Sequence, residues 1–336
     1  MVLGVLPRVA MKELQEIVGH LCRAQTPSVL ATLVTVEGSS YRRPGARMLV
    51  DGGKRMGSIS GGCLEEDLLA RCARVAAGGG SELVTYDTSA ENDLIWGVGL
   101  GCHGVVRILL EAVSPRPEWA LALSENIRAG RPTELAVVWE KSGGPPGTRL
   151  ANRASRQAGV FCERIEPPTA LAIFGAGDDA QPLFRMAREL GWRVTVADLR
   201  PAMPTEERFP GAAALVLGPA EELVARVSPV PGSLAVVMTH HYLHDAPLIR
   251  NLLPLPLAYL GLLGPRRRAE KILSDLADTG FPVTAEMRAR LRAPVGLDLG
   301  AEAPEQVALS IMAEMMAVQS ERDGRPLRER EGPIQA

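Results

Sequence analysis

The sequence predicts an α/β protein in two parts: an N-terminal α+β domain followed by a domain with a mostly parallel sheet. Three observations carry this expectation. From residue 169 onward, apolar runs at 170–174, 193–197, 213–217, 234–238 and 257–262 alternate with helical segments, the pattern of βαβ units. The first of those runs leads into Gly175-Ala176-Gly177 and then a helical segment, which makes this part Rossmann-like. Before residue 169, helices and strands mix without that alternation, and a chain of 336 residues is comfortable for two cores.

In chain order, the first segment is a helix over 11–24, because Leu14, Ile17, Val18 and Leu21 recur at helical spacing. Residues 29–36 and 46–51 are expected as strands, rich in apolar and β-branched residues, with Asp51-Gly52-Gly53 as a turn. Between them lies a polar loop, Glu37 to Gly45, that carries Arg42 and Arg43 at its centre. A helix is expected just after Cys63, with Leu64, Leu68, Cys72, Val75 and Ala76 on its apolar face. Its first turn holds Glu65, Glu66 and Asp67, where the helix dipole favours acids. Strands follow near 82–87 and 105–111.

The span 115–168 combines a short helix, a strand at 134–139 and a Gly/Pro-rich run from Lys141 to Gly147, and Pro167-Pro168 marks a boundary. A last helix over 305–318 opens after Pro304, with Val307, Ile311, Met315 and Val318 on one face. The expected organisation is an α+β domain over 1–114, an extension and linker over 115–168, a Rossmann-like domain over 169–323 and a charged tail over 324–336.

Composition narrows the class. Hydrophobic residues are 46% and charged residues 23%, ordinary values for a soluble globular protein. A net charge of -2 and an aromatic content of 4% argue against nucleic acid as a partner, since neither bulk positive charge nor a stacking platform is present. No apolar run approaches the roughly 18 residues of a membrane span, so no membrane association is expected. The five cysteines have no regular spacing and form no CxxC pair, which points to a reducing, cytoplasmic setting rather than a disulfide framework. Arg8 and Lys12 interrupt the N-terminal apolar run, so no signal peptide is expected.

Two glycine-rich segments each carry one cysteine: Ser60-Gly61-Gly62-Cys63 and Gly97 to Gly104, which contains Gly101, Cys102 and His103. Glycine removes side-chain bulk and lets backbone N–H groups approach a ligand. A thiolate just ahead of a helix is favoured by the free N–H groups there, while Glu65 and Glu66 oppose it. His103 beside Cys102 is placed to activate the thiol or share its ligand. Cys22, Cys72 and Cys162 lie on apolar faces and are expected in the core. Arg42, Arg43 and Arg47 form a candidate anion site, because guanidinium forks match phosphate geometry.

In the second part, Gly175 and Gly177 supply the tight turn, and Asp198 ends the next strand where a ribose contact is expected, with Arg200 near a 2′-phosphate. Asp178 and Asp179 stand where a pyrophosphate would sit and would repel it. Thr239-His240-His241 follows a strand at its carboxyl end, which makes His240 a candidate ligand-lining residue. Gly264-Pro265-Arg266-Arg267-Arg268 is a second candidate anion segment.

Taken as an ordered set, these motifs resemble the XdhC/CoxI family of molybdenum-enzyme accessory proteins. The resemblance rests on residues 37–45, on Ser60-Gly61-Gly62-Cys63-Leu64-Glu65, on Gly99-Leu100-Gly101-Cys102, on Gly175-Ala176-Gly177, on Thr239-His240, on 261–264 and on Ala293 to Gly300. The chain departs from the family pattern at His103, Asp178 and Pro265. The resemblance implies a maturation chaperone rather than a stand-alone oxidoreductase. Such a chaperone binds the molybdenum cofactor (molybdopterin), supports its sulfuration and delivers it to an apo molybdenum hydroxylase of the xanthine dehydrogenase or carbon monoxide dehydrogenase class. A cysteine desulfurase is the implied sulfur donor, and a homodimer is the base-rate expectation.

On that reading Cys63 and Cys102 lie at the molybdenum end of the cofactor, as metal ligands or persulfide carriers, with Gly61, Gly62, Gly101 and His103 around them and Arg42 and Arg43 toward the phosphate. Gly175, Gly177, Asp198 and His240 belong to the cofactor-binding set of the Rossmann-like domain. Two alternatives stay open at this stage. One is an NAD(P)-dependent oxidoreductase built on Gly175, Gly177 and Asp198. The other is a thiol redox switch through Cys63 and Cys102.

Overall fold

The computed structural model describes residues 11–38, 40–62, 64–87, 104–140 and 144–331. The chain divides into two compact units, residues 1–168 and 169–336.

In the first unit, helix α1 (Met11–Leu21) buries Leu14, Ile17, Val18 and Leu21 along one face, as their spacing requires. Strands β1 (Ser28–Gly38), β2 (Arg47–Asp51) and β3 (Lys54–Gly57) follow, then α2 (Glu65–Gly78), β4 (Ser81–Asp87) and β5 (Gly104–Val113). They form a five-stranded sheet in the order β3-β2-β1-β5-β4, with every pairing antiparallel. Successive side chains on a strand point to opposite faces, so β1 serves two cores. Val29, Ala31 and Leu33 pack under α2 with Leu68, Cys72 and Val75, while Leu30 packs with α1. A β-bulge between Leu33 and Thr35 shifts the β1–β5 register near the carboxyl end of β1.

Residues 115–168 belong to the first unit. They carry α3 (Glu118–Ala129), β6 (Thr133–Val138), β7 (Gly147–Leu150) and β8 (Val160–Ile165). The three strands form a separate antiparallel sheet in the order β7-β6-β8. Leu135 and Ile165 of this sheet share a core with α1 and with Trp119, Ala120 and Leu123 of α3.

The second unit contains β9 (Ala170–Phe174), α4 (Ala180–Glu189), β10 (Arg193–Asp198), β11 (Ala214–Leu217), α5 (Ala220–Val227) and β12 (Leu234–Val237). After them come α6 (Tyr242–Leu252), β13 (Tyr259–Leu262), α7 (Arg266–Asp278), α8 (Ala285–Arg290), β14 (Leu291–Arg292) and α9 (Pro304–Gln319). The sheet has six parallel strands in the order β11-β10-β9-β12-β13-β14. Numbered within this unit the order is 3-2-1-4-5-6, that of the dinucleotide-binding Rossmann fold. Both faces are covered. Leu171 and Ile173 pack with α4 and α9, and Ala172 and Phe174 pack with α5, α6 and α7. The strand order reverses between β9 and β12, so the crevice that such sheets use for ligands lies beyond the carboxyl ends of those two strands.

Among the described residues no helix is long and apolar enough to cross a membrane.

Candidate functional site

In the first unit, three segments follow strands that run toward one side of the five-stranded sheet. The register pairs Gly38, the last residue of β1, with Gly104, the first of β5. It also pairs Asp87, the last of β4, with Val105, and Gly57, the last of β3, with Met48 near the start of β2. Strands β1, β3 and β4, which lead into the arginine loop, the Ser58–Leu64 segment and the segment before β5, all run toward that side of the sheet, but Gly57 is level with Ala31 in the middle of β1, well short of Gly38 and Gly104. Cys63 and the stretch holding Gly101, Cys102 and His103 lie outside the described residues, but their flanks Gly62, Leu64, Asp87 and Gly104 are described.

The arginine loop and the first glycine segment are neighbours. A Cβ added to Gly61 would stand 4.0 Å from the Tyr41 ring. Arg42 Nη2 donates to Ser58 Oγ at 2.6 Å and to Glu13 Oε1 of α1 at 2.8 Å. Arg42 is thus already oriented, and Glu13 offsets part of its charge. Arg43 is half-buried in the same loop. Gly61 and Gly62 are exposed, and Gly62 has φ +118°, a conformation that favours glycine.

Two residues hold the glycine segment from beneath. Glu65 opens α2, yet its carboxylate turns back to accept from Ser60 N at 2.8 Å and Ile59 N at 3.3 Å, and from the Ser60 hydroxyl. Ser60 Oγ in turn accepts from Gly62 N at 3.1 Å and Leu64 N at 3.2 Å. Burial pushes the Glu65 carboxyl up, but the Ser60 hydroxyl and the surrounding N–H groups outweigh it and leave the group below its ordinary value. Sequence reasoning counted Glu65 as an acid working against a thiolate. The i to i+5 spacing of Ser60 and Glu65 across a glycine turn was the signal for this different role.

Arg47 separates from Arg42 and Arg43. It lies on β2 with 2% of its side chain exposed, donating from Nη1 to Gly45 O at 2.9 Å and from Nη2 to Glu163 of β8. The expectation that it joins an anion site is therefore corrected: this guanidinium is buried between the two sheets of the unit. Glu111 of β5, pushed up by burial despite its Thr148 hydrogen bonds and the Arg47 charge, belongs to the same seam.

The remaining cysteines differ among themselves. Cys72 is 1% exposed, and its thiol is pushed up to about 11 by burial and by Glu82. Cys22 and Cys162 are half-buried, donating to Ala120 O at 3.5 Å and Ser155 O at 3.4 Å.

In the second unit, the crevice residues come from β9, β10, β12 and α7. Gly175 has φ +110°, and a Cβ there would lie 2.5 Å from the Met238 carbonyl and 2.8 Å from Thr239 N. The glycine lets the loop after β9 touch the end of β12. At Gly177 a Cβ would stand 2.8 Å from Asp179 Oδ1. Asp198 is 1% exposed and accepts from Ala176 N at 2.6 Å, Arg200 N at 2.8 Å, Arg200 Nε at 2.9 Å and Arg200 Nη2 at 2.8 Å. Its carboxyl is lowered: burial pushes it up, but the Arg200 and Ala176 hydrogen bonds outweigh that.

His240, at φ +58°, pairs through Nε2 with Asp179 Oδ2 at 2.6 Å, and that carboxylate holds the imidazole above its ordinary value. Arg208 Nη2 donates to Asp178 Oδ1 at 2.9 Å and to Ala176 O at 3.1 Å. Behind them the fully buried Asp245 accepts from Thr239 Oγ1 at 2.6 Å and from Arg268 Nη1 at 3.3 Å.

The Ala176 N–H and both Asp198 oxygens are engaged with each other or with Arg200. Asp178 and Asp179 hold carboxylates at the turn where a dinucleotide-binding domain receives a pyrophosphate, and Asp178 is 85% exposed. Among the described residues, no group of three or more His, Cys, Asp or Glu is arranged to hold a metal ion.

The sequence model of the XdhC and CoxI family matches residues 21–87, and that of the XdhC Rossmann domain matches residues 171–315. A protein of Bacillus subtilis (strain 168), described as a probable subunit of xanthine dehydrogenase, is 34% identical over 320 residues, 88% of this chain and 94% of that protein.

The chain belongs to the XdhC and CoxI family.

A more distant relative within reach of the whole chain is the molybdenum cofactor insertion chaperone PaoD of Escherichia coli (strain K12), 25% identical over 87% of this chain and 83% of its own. Among solved structures, a crystal structure described as a xanthine dehydrogenase from Bacillus halodurans superposes with a TM-score of 0.76 at 28% identity, covering 97% of this chain and 99% of that one. The family motif Ala293 to Gly300 has a packing role in this chain. Gly296 N donates to Glu314 of α9 at 2.9 Å, the Ser310 hydroxyl donates to Leu297 O, and Tyr259 OH reaches the same Glu314 carboxylate at 2.6 Å.

Proposed function

We propose that this XdhC-family chain is an accessory chaperone that binds the molybdenum cofactor as cargo, supports its sulfuration and hands it to an apo molybdenum hydroxylase of the xanthine dehydrogenase or carbon monoxide dehydrogenase class. The observation that carries the reading is the packing of the arginine loop against the first glycine segment, with Arg42 on Ser58 and Tyr41 beside Gly61. Likeness to a named cofactor-insertion chaperone along most of the chain supports it. In this reading Cys63 and Cys102 face the molybdenum, because thiolates are soft ligands suited to a sulfur-rich centre. Gly61, Gly62 and Gly101 give the cofactor room, His103 stands beside the second thiol, and Arg42 and Arg43 lie toward the phosphate. A cysteine desulfurase supplies the sulfur, and the chain works as a homodimer in the cytoplasm.

Anaerobic equilibrium binding of the isolated cofactor tests this, with wild type beside Cys63→Ala and Cys102→Ala and with NADPH titrated in parallel. Saturable cofactor binding is expected, weakened at least about tenfold in either variant, a loss of roughly 1.4 kcal/mol. No binding by wild type, or binding untouched in both variants, overturns the reading.

A further inference from the structure

We infer that Glu13 is a built-in competitor for the cargo phosphate: it holds the Arg42 guanidinium between cargoes and takes it back as the cofactor leaves. The inference rests on the chaperone reading, in which Arg42 lies toward the phosphate, and adds a residue that the reading does not contain.

A guanidinium offers a phosphate two forked faces, an end face made by Nη1 and Nη2 and a side face made by Nε and Nη2. Nη2 belongs to both. In Arg42 the two N–H groups of Nη2 go to Glu13 Oε1 at 2.8 Å and to Ser58 Oγ at 2.6 Å. Nε is buried without a hydrogen-bond partner, so the side face is closed and the end face is the one a ligand can approach. A two-pronged grip through that face needs an N–H group that Glu13 or Ser58 now holds. The two differ in what a phosphate does to them. A hydroxyl can turn and donate to the incoming oxygen, whereas a carboxylate can only repel it. Glu13 is therefore the partner that yields.

Glu13 is also built to return. The Arg42 and Glu13 side chains are 24% and 30% exposed, so neither is locked in by packing. The helix beneath Glu13 is fixed, because Leu14, Ile17, Val18 and Leu21 of α1 are buried. The carboxylate thus stays tethered beside Arg42 at a high effective concentration. Release of the cargo then exchanges one anion for another at the guanidinium, instead of leaving a half-buried cation bare. A protein that must hand its cargo on gains from a grip loosened in this way.

The sign of one substitution decides the matter. Glu13→Gln keeps the length and a carbonyl acceptor and removes the charge. Inorganic phosphate titrated into the full chain at low ionic strength is expected to bind about fivefold tighter in Glu13→Gln than in wild type, the scale of a half-exposed ion pair. With Arg42→Gln already present, adding Glu13→Gln is expected to change phosphate affinity by less than about twofold, since the competition acts through that guanidinium. Anaerobic dissociation of molybdenum cofactor is expected to slow about fivefold in Glu13→Gln, because changes of affinity fall mainly on the off-rate. Weaker phosphate binding in Glu13→Gln makes Glu13 an orienting group, and unchanged binding makes it a structural one; either result overturns the inference. So does a gain that persists without Arg42, or tighter phosphate binding with unchanged cofactor dissociation. A wild type that binds phosphate but no cofactor overturns the chaperone reading instead, and the phosphate titrations still read the competition by themselves.

Discussion

The Arg47–Glu163 pair offers the sharpest test of how the first unit is held together. Both side chains are 2% exposed, and they join β2 of the five-stranded sheet to β8 of the three-stranded one. Arg47 Nε and Glu163 Oε2 are buried with no hydrogen-bond partner, so the pair is only partly satisfied. Glu163→Leu leaves a guanidinium buried with the Gly45 carbonyl as its remaining direct acceptor. Breaking a buried pair from one side costs about 3–5 kcal/mol, because the surviving charge keeps its desolvation penalty. Replacing both, as Arg47→Met with Glu163→Leu, removes that penalty along with the attraction, and the double variant is expected within about 1 kcal/mol of wild type. The two substitutions are therefore strongly non-additive, with a coupling of roughly 5 kcal/mol or more if each single change costs about 3–5. Urea unfolding of the four proteins in the cycle, read by circular dichroism and by hydrogen exchange in peptides from β1 and β8, measures it. A Glu163→Leu cost below about 1 kcal/mol, or additive behaviour in the double variant, refutes the reasoning.

Two further outcomes follow from the second unit. Gly175→Ala places a methyl group 2.5 Å from the Met238 carbonyl at φ +110°. Overpacking at about 1–3 kcal/mol and positive-φ strain at about 1–2 kcal/mol together give about 2–5 kcal/mol, read as faster exchange in β9 and β12 but not in β1. The His240–Asp179 pair raises the imidazole above its ordinary value, so its contribution is fully present below about pH 6.5 and fades as pH rises through the raised folded value. The imidazole is 56% exposed, and solvent screening holds the contribution to no more than about 1 kcal/mol. Stability compared at acidic and alkaline pH in wild type and His240→Gln checks this, the expected result being a smaller pH dependence in the variant.

Periodicity in the sequence located the long elements because each buries a full stripe or face. Leu14, Ile17, Val18 and Leu21 define α1, and the apolar runs of β9, β10 and β12 define the parallel sheet. Two short strands escaped it. Lys54–Gly57 and Gly147–Leu150 mix arginine, lysine or threonine with glycine, so neither makes an apolar run as the equally short β11 and β12 do. Arg47 was misjudged through its company, two arginines in the preceding loop. Alternation within β2 held the better signal, since Arg47 shares a face with Leu49, which lies in the α1 core. The hydrogen bonds that Glu65 accepts from Ser60 and Ile59 leave a single trace in the sequence, the i to i+5 spacing across the glycine turn.

The glycine signature of the second unit speaks more directly about the fold than about a ligand. Gly175, Gly177 and Asp198 stand where a dinucleotide-binding domain has them, and the strand order is that of such a domain. Yet each acid at the turn has a basic side chain of the chain itself beside it: Asp178 with Arg208, Asp179 with His240 and Asp198 with Arg200. The two arginines offset part of the turn's negative charge from within. An incoming pyrophosphate would have to displace carboxylates from these partners and would meet the repulsion of those it displaced. What preserves the glycine at position 175 is the approach of two strand ends, 2.5 Å from a would-be Cβ to the Met238 carbonyl, and that requirement belongs to the parallel sheet whether or not a nucleotide ever reaches it.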